Sequence, residues 1–155
     1  TITPLPWWCW RVLPACLPHG IGVVPYSQIA RGVLAGKYAP GVKPAEGTRA
    51  GRGDERMLES EFREESLAIA QTLKAHCDRK GVSLAHFASA WVLAHKAVSA
   101  VIAGPRTLAQ WEDYFGALDC VINAEDEALV DTLVKPGHPS TPGYSDPQYP
   151  IPARR

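Results

Sequence analysis

Apolar positions along the chain come in two kinds, short continuous runs and residues spaced by three or four, and the two kinds alternate. Residues 21–24 and 98–103 are continuous and rich in β-branched side chains, as a strand covered on both faces of a parallel sheet requires. Helical spacing surrounds them. Residues 13–20 form a short helix candidate, with Pro14 at its first turn and Gly20 as its stop. Residues 66–80 carry Leu67, Ala70, Leu73 and Cys77 on one face and end at Gly81. Ser83 caps a helix through Leu84, Phe87, Ala88, Trp91, Val92 and Leu93, and Thr107 caps one through Trp111, Tyr114, Phe115 and Leu118. Asn123 caps a last helix over 124–134, closed by Gly137.

Strands separated by helices imply right-handed crossovers and a parallel sheet. Two strands bury too little to complete a sheet, so the pattern predicts part of a larger one, whose open edges favour self-association. Residues 39–63 are rich in Gly, Pro and charge, with Arg49, Arg52, Asp54, Glu55 and Arg56 crowded together, and read as a lid or a ligand-ordered flap. From Pro136 onward, Pro139, Pro142, Pro147, Pro150 and Pro152 exclude regular helix and central strand, leaving an extended tail. At the other end Trp7, Trp8 and Trp10 stand beside prolines without periodicity and read as irregular chain.

Composition narrows the function classes. The 155 residues are 46% hydrophobic and 21% charged, ordinary values for a globular chain. Sixteen basic residues balance sixteen acidic ones, so no net field holds a polyanion and nucleic acid is not expected as a partner. No apolar run approaches the roughly 20 residues that span a bilayer, and the first residues lack the basic start and small-residue cleavage site of a signal peptide. Cys9, Cys16, Cys77 and Cys120 are scattered, which fits reduced thiols in the cytoplasm. Cys9, Cys16 and His19 lack further ligands to complete a tetrahedron, so no metal is expected.

Two stretches carry candidate chemistry. Val23–Val24 runs into a Gly-punctuated turn ending at Lys37-Tyr38, and Val101-Ile102-Ala103 runs into Gly104-Pro105-Arg106-Thr107. A strand followed by a glycine turn and a helix start presents free backbone N–H groups, which suits an anion such as phosphate. A pair of such sites suggests a nucleotide clamp. The histidines tempt a general-base role, but His76 and His95 sit near predicted helix ends, where a structural role is the plainer reading.

The runs PYSxxAxGxLxGKY from Pro25 and IxGPRTxxQ from Ile102, in this order, resemble the carboxy-terminal half of an aldo-keto reductase over residues 13–144. The resemblance implies an α/β fold, an incomplete (β/α)8 TIM barrel holding the last two βα units, a capping helix and an extended Pro-rich tail. It divides the chain into an atypical leader at 1–12, a partial barrel at 13–135 with the long loop at 39–63, and a tail at 136–155. It also implies NADP(H) as cofactor and a small carbonyl compound as substrate of the complete enzyme. By position, Tyr26 is similar to the aromatic under the nicotinamide ring. Ser27, Gln28, Ile29, Gly32, Leu34, Gly36 and Lys37 match the pyrophosphate loop, and Arg49 matches the arginine closing the long loop. Gly104 and Arg106 match the turn near the ribose phosphate, Arg106 suiting a 2′-phosphate through its planar guanidinium. Gln110 and Asp113 match the adenine edge.

Gln28 departs from a common proline, and Tyr114 from a common asparagine. The family's catalytic Asp, Tyr, Lys and His belong to the amino-terminal half, so no residue here is expected to be catalytic and the isolated chain is expected to be inactive. The leader departs altogether, as a shifted frame or truncated gene would. Potassium-channel β subunits, which the family includes, offer an alternative: a non-catalytic nucleotide-sensing or interaction module. Taken singly, Tyr26 reads as a packing aromatic, Gly32 and Gly36 as turn glycines and Arg106 as a surface charge.

Overall fold

Capping residues and helical spacing account for most of the regular structure. In the computed structural model, which describes residues 7–136 and 138–148 with side chains from Val12 on, the helices are α1 (Trp7–Cys16), α2 (Glu55–Ser60), α3 (Glu64–Lys80), α4 (Leu84–Leu93), α5 (Leu108–Tyr114) and α6 (Ala124–Leu133). Short 3-10 turns cover Ala30–Ala35 and Phe115–Leu118. The caps are those the sequence marks. Ser83 accepts from the His86 N–H at 3.1 Å and Thr107 from the Gln110 N–H at 3.2 Å. Asn123 and Asp126 form a reciprocal capping box on α6. Gly81, at φ 71°, closes α3 in the left-handed conformation. Glu64 and Glu65 extend α3 two residues ahead of the predicted start, where carboxylates complement the helix dipole.

Four expectations need correction. Residues 7–12, read as irregular, are helical, and α1 ends at Cys16 instead of running from 13 to 20. No glycine or proline interrupts the stretch between Pro6 and Pro14, so no helix breaker stands in it. Pro14 lies inside it, depriving the Trp10 carbonyl of its partner, and the helix stops two residues later. Gly20, at φ 63°, then turns the chain as expected.

The two segments read as strands meet only at isolated bridges, and no strand forms among the described residues. Val23 pairs with Val98 and Tyr26 with Ile102 as isolated parallel bridges, held by Val23 N–H to Ala97 O at 3.0 Å, Ser99 N–H to Val23 O at 2.9 Å and Ile102 N–H to Pro25 O at 2.9 Å. They are not covered on both faces. Ile21, Val24 and Ile102 are 56%, 50% and 57% exposed. Val23 packs against Leu13 and Ala97. A ladder of two strands has no neighbours to shield its second face.

The long 39–63 segment is the third correction, since it carries α2. Asp54 caps that helix by accepting the Met57 N–H at 2.8 Å, and Met57 is fully buried in the main core beside Leu67, Leu73 and Phe87. That core lies between α3, α4, α6 and the 30–35 turn. Last, α6 ends at Leu133 with extended Val134 as its cap, and Gly137, the predicted stop, lies outside the described residues. Residues 138–148 are irregular, as the prolines require, yet they dock. Arg63 donates to Thr141 Oγ1 at 2.7 Å, its guanidinium lies 3.9 Å from the centre of the Tyr144 ring, and Arg56 makes a forked pair with Asp146.

Candidate functional site

The two parallel segments end side by side, and that sets the site. Pairing of Tyr26 with Ile102 places the turn after Tyr26 beside the turn at Gly104. Tyr26 is 70% exposed at the tip, so its ring is not a packing aromatic but a free π-face. Beyond it the backbone turns tightly, with positive φ at Ser27 (60°), Ala30 (47°), Arg31 (53°), Gly32 (104°) and Gly36 (72°). A non-glycine residue in this region costs of order 1–3 kcal/mol and persists only where its surroundings hold it. Here the surroundings are the main core. Ala30 and Val33 are completely buried, and Leu34 nearly so. Successions of left-handed and right-handed residues are a backbone shape that can bind anions, although here several of the turn's N–H groups are used within the turn.

Within this turn the Ala30 N–H donates to Ser27 O at 2.8 Å, while the Gly32 and Leu34 N–H groups share Ile29 O at 2.9 and 3.1 Å. Two side-chain donors on the turn, Gln28 Nε2 and Arg31 Nε, are buried without an acceptor. Buried polar groups are nearly always partnered, so a pair of orphaned donors marks a place where an external acceptor fits. Lys37 Nζ lies 5.7 Å from the Tyr38 ring centre. Neither Arg31 nor Lys37 has a carboxylate partner among the described residues. The charge sequence explains why. The first acidic residue of the chain is Glu46, and none lies between Asp78 and Glu112. Both strand tips therefore sit in acid-free stretches carrying Arg31, Lys37 and Arg106.

The second turn is ordered by its own side chains. The Arg106 N–H donates to Gln110 Oε1 at 2.8 Å, which engages Gln110 locally. The exposed Arg106 guanidinium has no carboxylate partner among the described residues. Asp113 is bonded to His86 Nε2 at 3.0 Å. Tyr114, beside it, is half-buried, and burial raises its hydroxyl pKa.

The bridge sets Tyr26 opposite Ile102, two residues before Gly104, and Ser27, Gln28, Gly32, Gly36 and Lys37 follow along the turn after Tyr26. Ile29 and Leu34 pack into the core and present only backbone to it. Arg49 is paired with Asp54 at 3.0 Å. Its neighbour Ala50 ties that segment to the site by donating to Tyr38 Oη at 3.4 Å. The histidines behave structurally: His76 bonds Asp126, and His95 Nδ1 accepts the Ala97 N–H at 3.2 Å.

Two contributors escape a reading of the sequence alone. Tyr38 is buried, edge-on to Phe62 with ring centres 5.4 Å apart, and its carbonyl accepts from Gln71 Nε2 at 2.5 Å, so it fixes the end of the turn. Arg31 is the other, and a basic residue directly before a turn glycine is the signal that could have found it. A cleft of about 220 Å3 lies between α4, the 115–118 turn and residues 120–122, and one of about 150 Å3, lined by α4, α5, the 115–118 turn, Val101 and Ala103, reaches the segment that leads into Gly104. The strand-tip site is an open surface.

Comparison with known proteins shows the family. The family described as aldo/keto reductase matches residues 10–135. A probable voltage-gated potassium channel subunit beta of Arabidopsis thaliana is 33% identical over 70% of this chain and 33% of its own length. An uncharacterized oxidoreductase of Bacillus subtilis, YrpG, is 32% identical over 87% of this chain and 39% of its own. The glycerol dehydrogenase of Gluconobacter oxydans superimposes with a TM-score of 0.65 at 25% identity, over 89% of this chain and 42% of that one. The chain therefore spans between a third and two fifths of the length of these two curated relatives. Parallel strand tips bearing glycine turns, together with a family match over most of the chain, lead to one conclusion: this chain belongs to the aldo/keto reductase family.

Proposed function

We propose that the chain is the NADP(H)-binding carboxy-terminal portion of an aldo-keto reductase whose complete form reduces a small aldehyde or ketone. One observation carries the reading. The Tyr26–Ile102 bridge brings two glycine turns, each rich in donors and free of acid, to adjacent strand tips. The residues fit a dinucleotide, since orphaned Gln28 Nε2 and Arg31 Nε call for an anionic acceptor and exposed Tyr26 offers a ring face beside it.

When bound, the nicotinamide ring supplies a hydride to a carbonyl carbon. Tyr26 stacks against a flat ring, and the 27–37 turn, with Lys37, holds the pyrophosphate through backbone N–H groups and charge. Arg106 grips the 2′-phosphate with Gly104 allowing close approach, and Gln110 and Asp113 border the adenine. Arg49, anchored by Asp54, closes the long loop over the cofactor. No residue of the chain is assigned to proton donation, so by itself it binds without turnover. The free thiols of Cys16, Cys77 and Cys120 support a reducing cytoplasmic setting. No helix among the described residues is long and apolar enough to cross a membrane.

Calorimetric titration with NADPH and NADH tests this reading. Arg106→Ala should weaken NADPH by about tenfold or more and leave NADH nearly unchanged, as loss of a charge-assisted phosphate contact does. Equal losses for both would remove the 2′-phosphate assignment. Similarity to two plant channel β subunits favours a second reading, a non-catalytic module that binds nucleotide and a partner protein. Reductase turnover by the complete protein would set that reading aside.

A further inference from the structure

His86 lies outside both turns, yet it reaches an acidic side chain beside the second one. It stands in the first turn of α4, where Ser83 Oγ accepts its N–H at 3.1 Å, and its Nε2 meets Asp113 Oδ1 of α5 at 3.0 Å. The contact needs Gly116. A Cβ there would collide with Cε1, Nδ1 and Nε2 of the His86 ring, the last at 2.9 Å, so any side chain at 116 would drive the imidazole off Asp113. The ring lies in this notch only 20% exposed, while the Asp113 side chain is 62% exposed. One end of the pair is held and the other faces outward. An imidazole carrying its proton on Nε2 donates to the carboxylate whether neutral or charged, so Oδ1 is taken, and Oδ2 has no partner among the described residues. Gln110, one helical turn earlier, is the reverse. Its Oε1 accepts the Arg106 N–H at 2.8 Å, which leaves its amide nitrogen as a donor. Of the two side chains that border the base in the proposed function, one therefore offers a donor and the other a fixed acceptor.

We infer that His86 is a positioning residue, which holds Asp113 Oδ2 ready for the exocyclic amino group of adenine and so makes the site select a purine with an amino group over one with a carbonyl in its place. This rests on the dinucleotide reading above and adds base selectivity to it. A carboxylate free to turn loses rotamer freedom when it binds, whereas one already fixed by an imidazole loses little. Against a carbonyl, two acceptors face each other with no proton between them, and both are left unsatisfied. His86 acts only through Asp113.

The test is calorimetric titration of the intact 155-residue chain with NADPH and, separately, with reduced nicotinamide hypoxanthine dinucleotide phosphate, which carries a carbonyl where adenine has its amino group. The unaltered chain should bind NADPH about tenfold more tightly than the analogue. His86→Leu should cut that preference to about threefold or less, and His86→Gln, which keeps a donor, should restore most of it. Gly116→Ala should act as His86→Leu does, by displacing the ring, and it decides the matter should His86→Leu fold poorly. In an Asp113→Ala background His86→Leu should change nothing further, an outcome that a merely structural role would not give. Equal binding of the two nucleotides by the unaltered chain, or an undiminished preference in His86→Leu and Gly116→Ala, overturns the assignment while leaving the dinucleotide reading intact. Binding of neither nucleotide rejects that reading and the assignment with it.

Discussion

Asp126 gathers more hydrogen bonds than its neighbours, and every one crosses between elements or caps a helix. It is fully buried on α6 and accepts from His76 Nε2 at 2.7 Å and Lys80 Nζ at 2.5 Å, both on α3, and from the Asn123 N–H at 2.9 Å. Burial pushes its carboxyl pKa up, but the bonds from Lys80, His76 and Asn123, with the Lys80 charge, outweigh burial and hold it below the ordinary carboxylate value. A folded-state pKa lowered in this way contributes stability above the unfolded value of about 3.9, and that stability is lost as pH falls through the folded value. Asp126→Ala should therefore lower unfolding free energy at pH 7 by about 3 kcal/mol, measured by urea denaturation, and make stability less sensitive to acid. An unchanged midpoint would contradict this role. Cys77 behaves oppositely to a reactive thiol: burial raises its pKa to about 12. It should resist thiol reagents at pH 8 in the native state and react on unfolding, whereas rapid native-state labelling would show the core to be open.

At the scale of elements, the α2 part of the long 39–63 segment is tied to the core through Met57. Met57→Ala should cost about 3 kcal/mol of stability in thermal or urea unfolding, because Met57 is completely buried. A change below about 0.5 kcal/mol would mean the segment is a loose flap. The tail gives a second test here. Arg63 holds Thr141, Ser140 and the Tyr144 ring, so Arg63→Ala should speed proteolytic cleavage within 138–148 while cleavage in α3 stays slow. How legible each element was follows from its physics. The end of α3 and the starts of α4, α5 and α6 were readable because Gly81, Ser83, Thr107 and Asn123 act locally, through bonds within one turn of their own backbone, whereas α5, expected through Leu118, gives way to a 3-10 turn after Tyr114. α2 is six residues long with no periodicity to detect, and its only mark, Asp54 at the cap, sat in a crowd of charges. α1 was obscured by tryptophans that carry no face pattern. Both strand segments were expected to be regular and buried but form only isolated bridges with exposed faces, because a ladder and its burial depend on neighbours that local sequence does not reveal.

For the molecule as a whole, the pairing of two distant segments is what turns separate motifs into a site. Val23 and Val98 are far apart in sequence, yet their bridge was anticipated, because helical crossovers between apolar runs dictate parallel neighbours. The Tyr26, Gly32 and Gly104 positions were legible for the same reason, since glycine and aromatic residues at strand tips leave a mark in sequence. The burial of Gln28 Nε2 and Arg31 Nε was not legible, because it arises from left-handed backbone at non-glycine residues. Nor were the engagements of Arg49 with Asp54 and Asp113 with His86, which depend on how loops fold back.

The account stands on adjacent strand tips gripping one dinucleotide. Amide chemical-shift mapping of the isotope-labelled chain during NADPH addition tests this most directly. The expected result is perturbation concentrated at residues 26–37 and 104–110, with α6 and the 138–148 tail unmoved. Shifts confined to the cleft between α4 and α5, or no shifts at saturating cofactor, would contradict it.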